Sequence, residues 1–163
     1  MSNLIFEGEY KEGKKYQGLE YKNNMLIFEG TYKNGKRYKG KEYYFNKLLF
    51  EGEYKNGEYF KGKEYIEGIL MFEGEYKNGQ RYNGISYTIN MPKKFVGRFE
   101  NGIYAKGIEF FHDKIIFKGD YKNGKRYKGN EYNNNNQLIF KGEYKNGKKF
   151  LERYMTKWVK KHF

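Results

Sequence analysis

Apolar and polar residues alternate along this chain in short stretches, and Asn-Gly interrupts them at regular intervals. In residues 26–47, LIFEGTYKNGKRYKGKEYYFNK, the side chains Phe28, Gly30 and Tyr32 fall on every second position before Asn34-Gly35. Alternation of this kind predicts a half-buried strand. Asn-Gly between two such runs predicts a β-hairpin, because both central residues of a type I′ turn need positive φ. Asn-Gly recurs at 34–35, 56–57, 78–79, 101–102, 123–124 and 146–147, with Glu12-Gly13 in the first unit. Softer bends are expected between hairpins, at Asn23-Asn24, Asn46-Lys47, Glu67-Gly68, Asp113-Lys114 and 133–136.

The hairpins form a repeat. A phenylalanine stands two residues before each of Gly8, Gly30, Gly52, Gly74, Gly97, Gly119 and Gly142, and these glycines are 22 or 23 residues apart. A second glycine follows five residues later in every unit, and a third follows in six of the seven. Self-similarity at this period is the mark of a repeat architecture. The units run about 4–25, 26–47, 48–69, 70–92, 93–114, 115–137 and a partial 138–149, so residues 1–149 read as one repeat domain. Thirteen strands are predicted, in an up-and-down meander. Pairing outward from Asn34-Gly35 sets Tyr32 opposite Arg37, Gly30 opposite Lys39, Phe28 opposite Lys41 and Leu26 opposite Tyr43. One face then collects Leu26, Phe28, Gly30, Tyr32 and Tyr43, and the other Glu29, Thr31, Tyr38, Gly40 and Glu42. Glycine weakens a strand unless something needs the space. An aromatic from a neighbouring strand is expected to lie across each bare backbone.

After Asn146-Gly147 the third glycine is missing and the period changes. Phe150, Tyr154, Trp158 and His162 are spaced by four, as are Leu151, Met155, Val159 and Phe163. These rows predict an amphipathic α-helix over 150–163. It is expected to cap the last strand edge, with an anionic membrane or a partner's groove as the alternative. The predicted fold is therefore all-β: an elongated single-layer antiparallel ribbon of β-hairpin repeats with a C-terminal amphipathic helix.

These residues resemble the MORN repeat family. Phe28-Glu29-Gly30-Thr31-Tyr32-Lys33-Asn34-Gly35 matches the first part of its unit, and Tyr43 stands where its last aromatic falls. The match runs from about Leu4 to Lys149. The family's paired glycines are here the single Gly40 between Lys39 and Lys41, and Tyr38 stands where many members carry a small polar residue or His. The resemblance implies a solenoid scaffold for protein association, at times at membranes or cytoskeletal structures.

Composition narrows the chemistry. The 163 residues carry 33 Lys+Arg against 20 Asp+Glu, and 21% are aromatic, including 19 Tyr and 14 Phe. Aromatics at this level argue against disorder. Without cysteine there is no disulfide scaffold and no thiolate metal site. His112 and His162 are too far apart to suggest a metal cage, and no cofactor is expected. Only Ser2 and Ser86 offer a serine hydroxyl, and the glutamates recur with the repeat instead of forming one unique pair. A non-catalytic chain is expected. No signal peptide and no apolar run of about 18 residues is evident, which predicts an intracellular, cytoplasmic protein, or one peripheral to a membrane or a large assembly.

Charge is uneven. Residues 1–82 hold 15 basic and 13 acidic residues, whereas residues 83–163 hold 18 and 7. The stretch from Ser86 to Ala105 also carries the only proline, Pro92, and a cluster of Lys93, Lys94 and Arg98. The basic half is expected to dock an anionic or protein partner. Its candidate contacts are Lys93, Lys94, Arg98, Lys118, Arg126, Lys128, Arg153, Lys157, Trp158, Lys160 and Lys161. The expected partners are proteins, a second copy of the chain included, with anionic lipid as the alternative. Glutamates on nearly every strand argue against nucleic acid.

Overall fold

The computed structural model describes residues 3–89 and 91–150. They form one sheet of fourteen antiparallel strands whose spatial order is their chain order. The strands are β1 (Leu4–Lys11), β2 (Lys14–Lys22), β3 (Met25–Lys33), β4 (Lys36–Tyr44), β5 (Lys47–Lys55), β6 (Glu58–Ile66) and β7 (Ile69–Lys77). They continue with β8 (Gln80–Thr88), β9 (Met91–Glu100), β10 (Ile103–Phe111), β11 (Lys114–Lys122), β12 (Lys125–Tyr132), β13 (Leu138–Lys145) and β14 (Lys148–Phe150). The Asn-Gly turns have the geometry that the sequence asks for, with φ of 51° at Asn34 and 75° at Gly35. Two of the softer bends turn one residue early, at Phe45-Asn46 and His112-Asp113, where φ is positive at both residues. Pro92 lies near the start of β9, where a missing N–H is tolerated, and its carbonyl accepts a bond from His112 N at 2.9 Å.

The expected C-terminal helix is overturned at its first residue. Asn146 and Gly147 adopt the same positive φ as the other hairpin turns. Lys148 therefore returns beside Lys145, and Phe150 pairs opposite Glu143 in a fourteenth strand. Hairpin closure by the turn wins there over the spacing of four. Among the described residues there is no helix. The remainder of the expected helix, with Arg153, Lys157, Trp158, Lys160 and Lys161, lies outside the described residues.

The register also differs from the simple hairpin. Tyr32 is opposite Arg37, as the turn dictates, but Thr31 is opposite Lys39, and Tyr38 is left over in a bulge. The slip sets Gly30 opposite Gly40 and Phe28 opposite Glu42. A second shift between hairpins, at Glu42/Tyr43, keeps Gly40 opposite Gly52. A continuous row of glycines thus crosses the sheet. The backbones close in at this row. A Cβ placed on Gly30 would lie 2.2 Å from the Lys39 carbonyl oxygen and 2.7 Å from the Gly40 Cα. One ring covers both bare backbones of a pair: Phe28 Cζ would be 2.8 Å from the Cβ on Gly30 of its own strand and 2.6 Å from one on Gly40 of the neighbouring strand.

A slip of one residue moves side chains to the opposite face, so Glu42 joins Phe28 on what we term the inner face. That face holds the core. Phe28, Phe50, Phe72 and Phe117 are fully buried, and Tyr32, Tyr54, Tyr76, Phe99, Tyr121 and Tyr144 are nearly so. Each phenylalanine meets the corresponding aromatic of the next unit edge-on: Phe28 with Tyr54 at 5.6 Å, Phe50 with Tyr76 at 5.6 Å, Phe95 with Tyr121 at 5.3 Å. Edge-to-face contacts at such distances each add about 0.5–1.5 kcal/mol beyond area burial. The ladder links units that no second layer holds together.

Candidate docking face

Polar groups on the inner face are bound into the ladder, apart from the buried Tyr32 hydroxyl, which has no hydrogen-bond partner among the described residues. A cation or an aromatic ring lies over each phenylalanine: Lys15, Arg37, Tyr59, Arg81, Tyr104, Arg126 and Lys149 over Phe6, Phe28, Phe50, Phe72, Phe95, Phe117 and Phe140 in turn. Tyr59 and Tyr104 stack flat on their partners at 3.9 and 4.0 Å, and the guanidinium of Arg126 sits 4.6 Å over Phe117. Each arginine also reaches back to the preceding unit's glutamate. Arg126 donates to both oxygens of Glu109, at 2.9 and 2.8 Å, and Tyr121 Oη donates to the same carboxylate at 2.8 Å. Burial alone would raise the Glu109 carboxyl, but the bonds from Arg126 and Tyr121 outweigh it and hold the group below its ordinary range. Glu20 is held low in the same way by Lys15 and Arg37. Burial, then the nearby carboxylates, push the Tyr54, Tyr76 and Tyr121 hydroxyls well above their ordinary range.

One module departs from the pattern in three linked places. Ser86 replaces the glutamate, Phe99 replaces the tyrosine that would bond it, and Tyr104 replaces the arginine. Ser86 is buried and Phe99 meets Phe72 at 5.3 Å. Losing acceptor and donors together leaves no unpaired charge inside.

The outer face is the opposite case. Its floor is the glycine row, and a line of side chains runs along each side. One line crosses Glu29, Lys41, Glu51, Lys63 and Glu73, each the cross-strand neighbour of the next. It continues through Ile85, Val96 and Ile108 to Lys118, Asn130 and Lys141. The other line includes Lys39, Glu53, Lys61 and Glu75, and later Arg98, Lys106, Asp120, Lys128 and Glu143. Alternating signs attract across a sheet, and Lys41 Nζ lies 3.5 Å from Glu29 Oε1. Tyr43 Oη donates to the same Glu29 at 2.8 Å. Burial and that bond push its hydroxyl up to about 12. Counting Glu7 and Glu9, which stand at the β1 ends of the two lines, the lines carry seven carboxylates and four lysines over the first four units; over the last three they carry five cations and two carboxylates.

Two hollows open over the glycine floor. One, of about 550 Å³, lies over Gly18, Gly30, Gly40 and Gly52 between Glu29, Lys39, Lys41 and Glu51. The other, of about 710 Å³, lies over Gly107, Gly119, Gly129 and Gly142. Lys106, Lys118, Lys128 and Lys141 surround it, with Ile108 and Tyr132. Lys106 pairs with Asp120 at 3.3 Å and Lys128 with Glu143 at 3.8 Å. Lys118 and Lys141 flank the neutral Asn130.

Beside this groove runs a stripe of exposed rings: Tyr16, Tyr38, Phe60, Tyr82, Tyr127 and Phe150. Those from Tyr16 to Tyr127 are the residues that the hairpin bulges leave over. A lysine of the preceding strand lies near each ring, from Lys11 at 3.5 Å over Tyr16 to Lys145 at 6.0 Å from Phe150. In unit five ring and cation vanish together, as Ala105 and Glu100.

The residues singled out from sequence are thus dispersed. Lys118 and Lys128 meet in the basic hollow. Arg98 is on the outer face, bound to Glu100 at 2.7 Å. Lys93 and Lys94 line a separate recess near Tyr104 and Arg126, and Lys94 is tied to Asp113. Arg126 is not a surface contact: it is half-buried and structural. The stripe, Lys106 and Lys141 went unnoticed in the sequence. The signal for them was the bulge, which takes Tyr38 out of the core pattern. Among the described residues, no helix is long and apolar enough to cross a membrane, and no three His, Asp or Glu side chains converge as a metal site. No protein-family model and no curated protein matches the sequence.

Proposed function

We propose that this chain is a non-catalytic repeat scaffold of the MORN kind that mediates protein–protein association, as part of a larger assembly in the cytoplasm. The carrying observation is the division of labour between the faces. The inner face consumes its aromatics and ions in the ladder. The outer face displays an aromatic ring in six of the seven units, beside a groove whose charge turns positive toward the C-terminal units. Exposed aromatic patches of this extent mark interaction surfaces, and tyrosine is a common anchor at interfaces.

Affinity capture from the native source tests the reading, with wild type compared with Tyr38→Ala/Phe60→Ala and with Lys118→Glu/Lys141→Glu. Wild type should retain a defined protein partner that at least one outer-face variant loses while melting normally. Salt-sensitive pelleting with anionic vesicles, in the absence of a protein partner, would favour a membrane module instead. Turnover of a small molecule abolished by one polar substitution would end the scaffold reading.

A further inference from the structure

We propose that the four consecutive rings from Tyr16 to Tyr82 form a docking stripe for a proline-rich partner segment in polyproline-II conformation that carries acidic residues. The inference rests on the scaffold reading and names the partner's chemistry.

The first argument is spacing. Successive rings stand on every second strand, and strands lie about 4.8 Å apart, so the stripe repeats about every 9.6 Å. A ligand that runs along it must present side chains at that interval on one side. A polyproline-II helix has three residues per turn and a rise of about 3.1 Å, which gives a repeat of about 9.3 Å. Over three intervals it drifts from the rings by only about 1 Å. An α-helix reaches its nearest equivalent at seven residues, about 10.5 Å, and drifts roughly three times as far. An extended strand shows one face every two residues, about 6.8 Å, and misses the rings. The rings themselves suit the conformer, since polyproline-II segments dock in aromatic-lined grooves.

The second argument is charge. Lys33 lies 5.7 Å over Tyr38 and Lys55 lies 5.6 Å over Phe60. Each ammonium lies over one face of its ring and, among the described residues, neither is in an ion pair. A triplet with proline against the ring and a carboxylate beside it satisfies both. Exposure fits as well: Tyr38 and Phe60 are 46% and 43% exposed, against 0–9% for the buried aromatics of the inner core. The stripe ends where Ala105 and Glu100 remove ring and cation together.

Fluorescence anisotropy with a labelled peptide of four Pro-Pro-Glu triplets is the test. The full chain should bind it at least about tenfold tighter than peptides of four Pro-Pro-Lys or four Gly-Gly-Glu triplets. Tyr38→Ala/Phe60→Ala should weaken binding at least tenfold with melting unchanged, and Lys33→Glu/Lys55→Glu should do the same. Lys118→Glu/Lys141→Glu, at the far end of the groove, should not. Equal binding of the Gly-Gly-Glu peptide would reduce the effect to charge and overturn the proposal. So would absence of binding, tighter binding of an acidic oligosaccharide to the same rings, or loss on the Lys118/Lys141 change alone. The two readings fail separately. A native partner still captured by Tyr38→Ala/Phe60→Ala sinks the stripe and leaves the scaffold standing; a wild type that captures no partner sinks the scaffold whatever the peptide does.

Discussion

The glycine row makes the most exacting prediction, because the chain contains its own control. At Gly52 an added methyl would meet the Lys61 carbonyl oxygen at 2.2 Å, Gly62 Cα at 2.6 Å and Phe50 Cζ at 2.9 Å. Two of these are backbone and cannot swing away. Gly52 has no positive φ, so the cost of Gly52→Ala is steric and not conformational. Overpacking of this kind costs about 1–3 kcal/mol, and dislodging the fully buried Phe50 forfeits part of the roughly 1.5–3 kcal/mol of its burial. A loss of about 3–5 kcal/mol follows. At about 2–4 °C per kcal/mol for a chain of this size, the melting midpoint should fall by roughly 10 °C. Gly57, at the turn of the same hairpin, is the control: nothing lies within 4 Å of a Cβ placed there, but its φ is 89°. Gly57→Ala should therefore cost only about 1–2 kcal/mol, the strain of a left-handed residue with a side chain. Urea and thermal unfolding followed by circular dichroism compare the two. If Gly57→Ala is as damaging as Gly52→Ala, the close approach of paired backbones is not what the strand glycines are for.

Ser86→Glu should destabilise by about 1–3 kcal/mol, because the new carboxylate is buried with Arg81 of its own hairpin as its one charged neighbour in the pattern, and adding Phe99→Tyr and Tyr104→Arg should recover most of it. Urea unfolding of the single, paired and triple variants reads the coupling directly, and additive losses would refute the three-residue module. Raised hydroxyl pKa values at Tyr54, Tyr76 and Tyr121 mean that the folded state holds these protons more tightly. Their contribution is complete below the ordinary value of 10.0 and is lost as pH rises above it. Phenolate absorbance should therefore appear in two stages, exposed tyrosines first and the ladder only on cooperative unfolding. Glu20 and Glu109 work with the opposite sign, since their lowered values contribute stability above 4.5 that is lost as pH falls below it. Arg126→Met, which leaves Glu109 without its main partner, should shift acid unfolding to higher pH.

The turns and the repeat period were legible from the sequence because Asn-Gly dictates backbone geometry by itself and the chain repeats it. The register was not, because a bulge has no residue signature of its own. The clue lay in an asymmetry: Gly30 is four residues before Asn34, whereas Gly40 is five after Gly35. The two glycines can face each other only if one residue is squeezed out between them, and that residue is Tyr38. Missing it moved Glu42 to the wrong face and hid both the ionic ladder and the exposed stripe. Phe150 misled for a related reason. Its spacing to Tyr154 and Trp158 suits a helix, but its place after the turn is that of Tyr38 in its own hairpin, and the turn acts first.

A sheet one layer thick has two faces and only one core to fill. Here the core is filled from within the sheet, each phenylalanine folded over its own glycine pair and locked to the next unit. The outer face then needs little more than charges that alternate across strands, and from Glu29 to Glu73 that is what one of its lines provides. Beyond Glu73 the alternation stops. The half-buried Ile85, Val96 and Ile108 pair with one another in place of the charges, and Lys118 and Lys141 have only Asn130 between them. The second arrangement does not help the sheet: cations without a cross-strand carboxylate forgo the attraction that their counterparts near the N-terminus enjoy. A lattice position that gives up its lattice role is best explained by a demand from outside the lattice. The basic hollow and the exposed rings are the places where this chain departs from what its own repeat requires, and they are where the proposed partner would act.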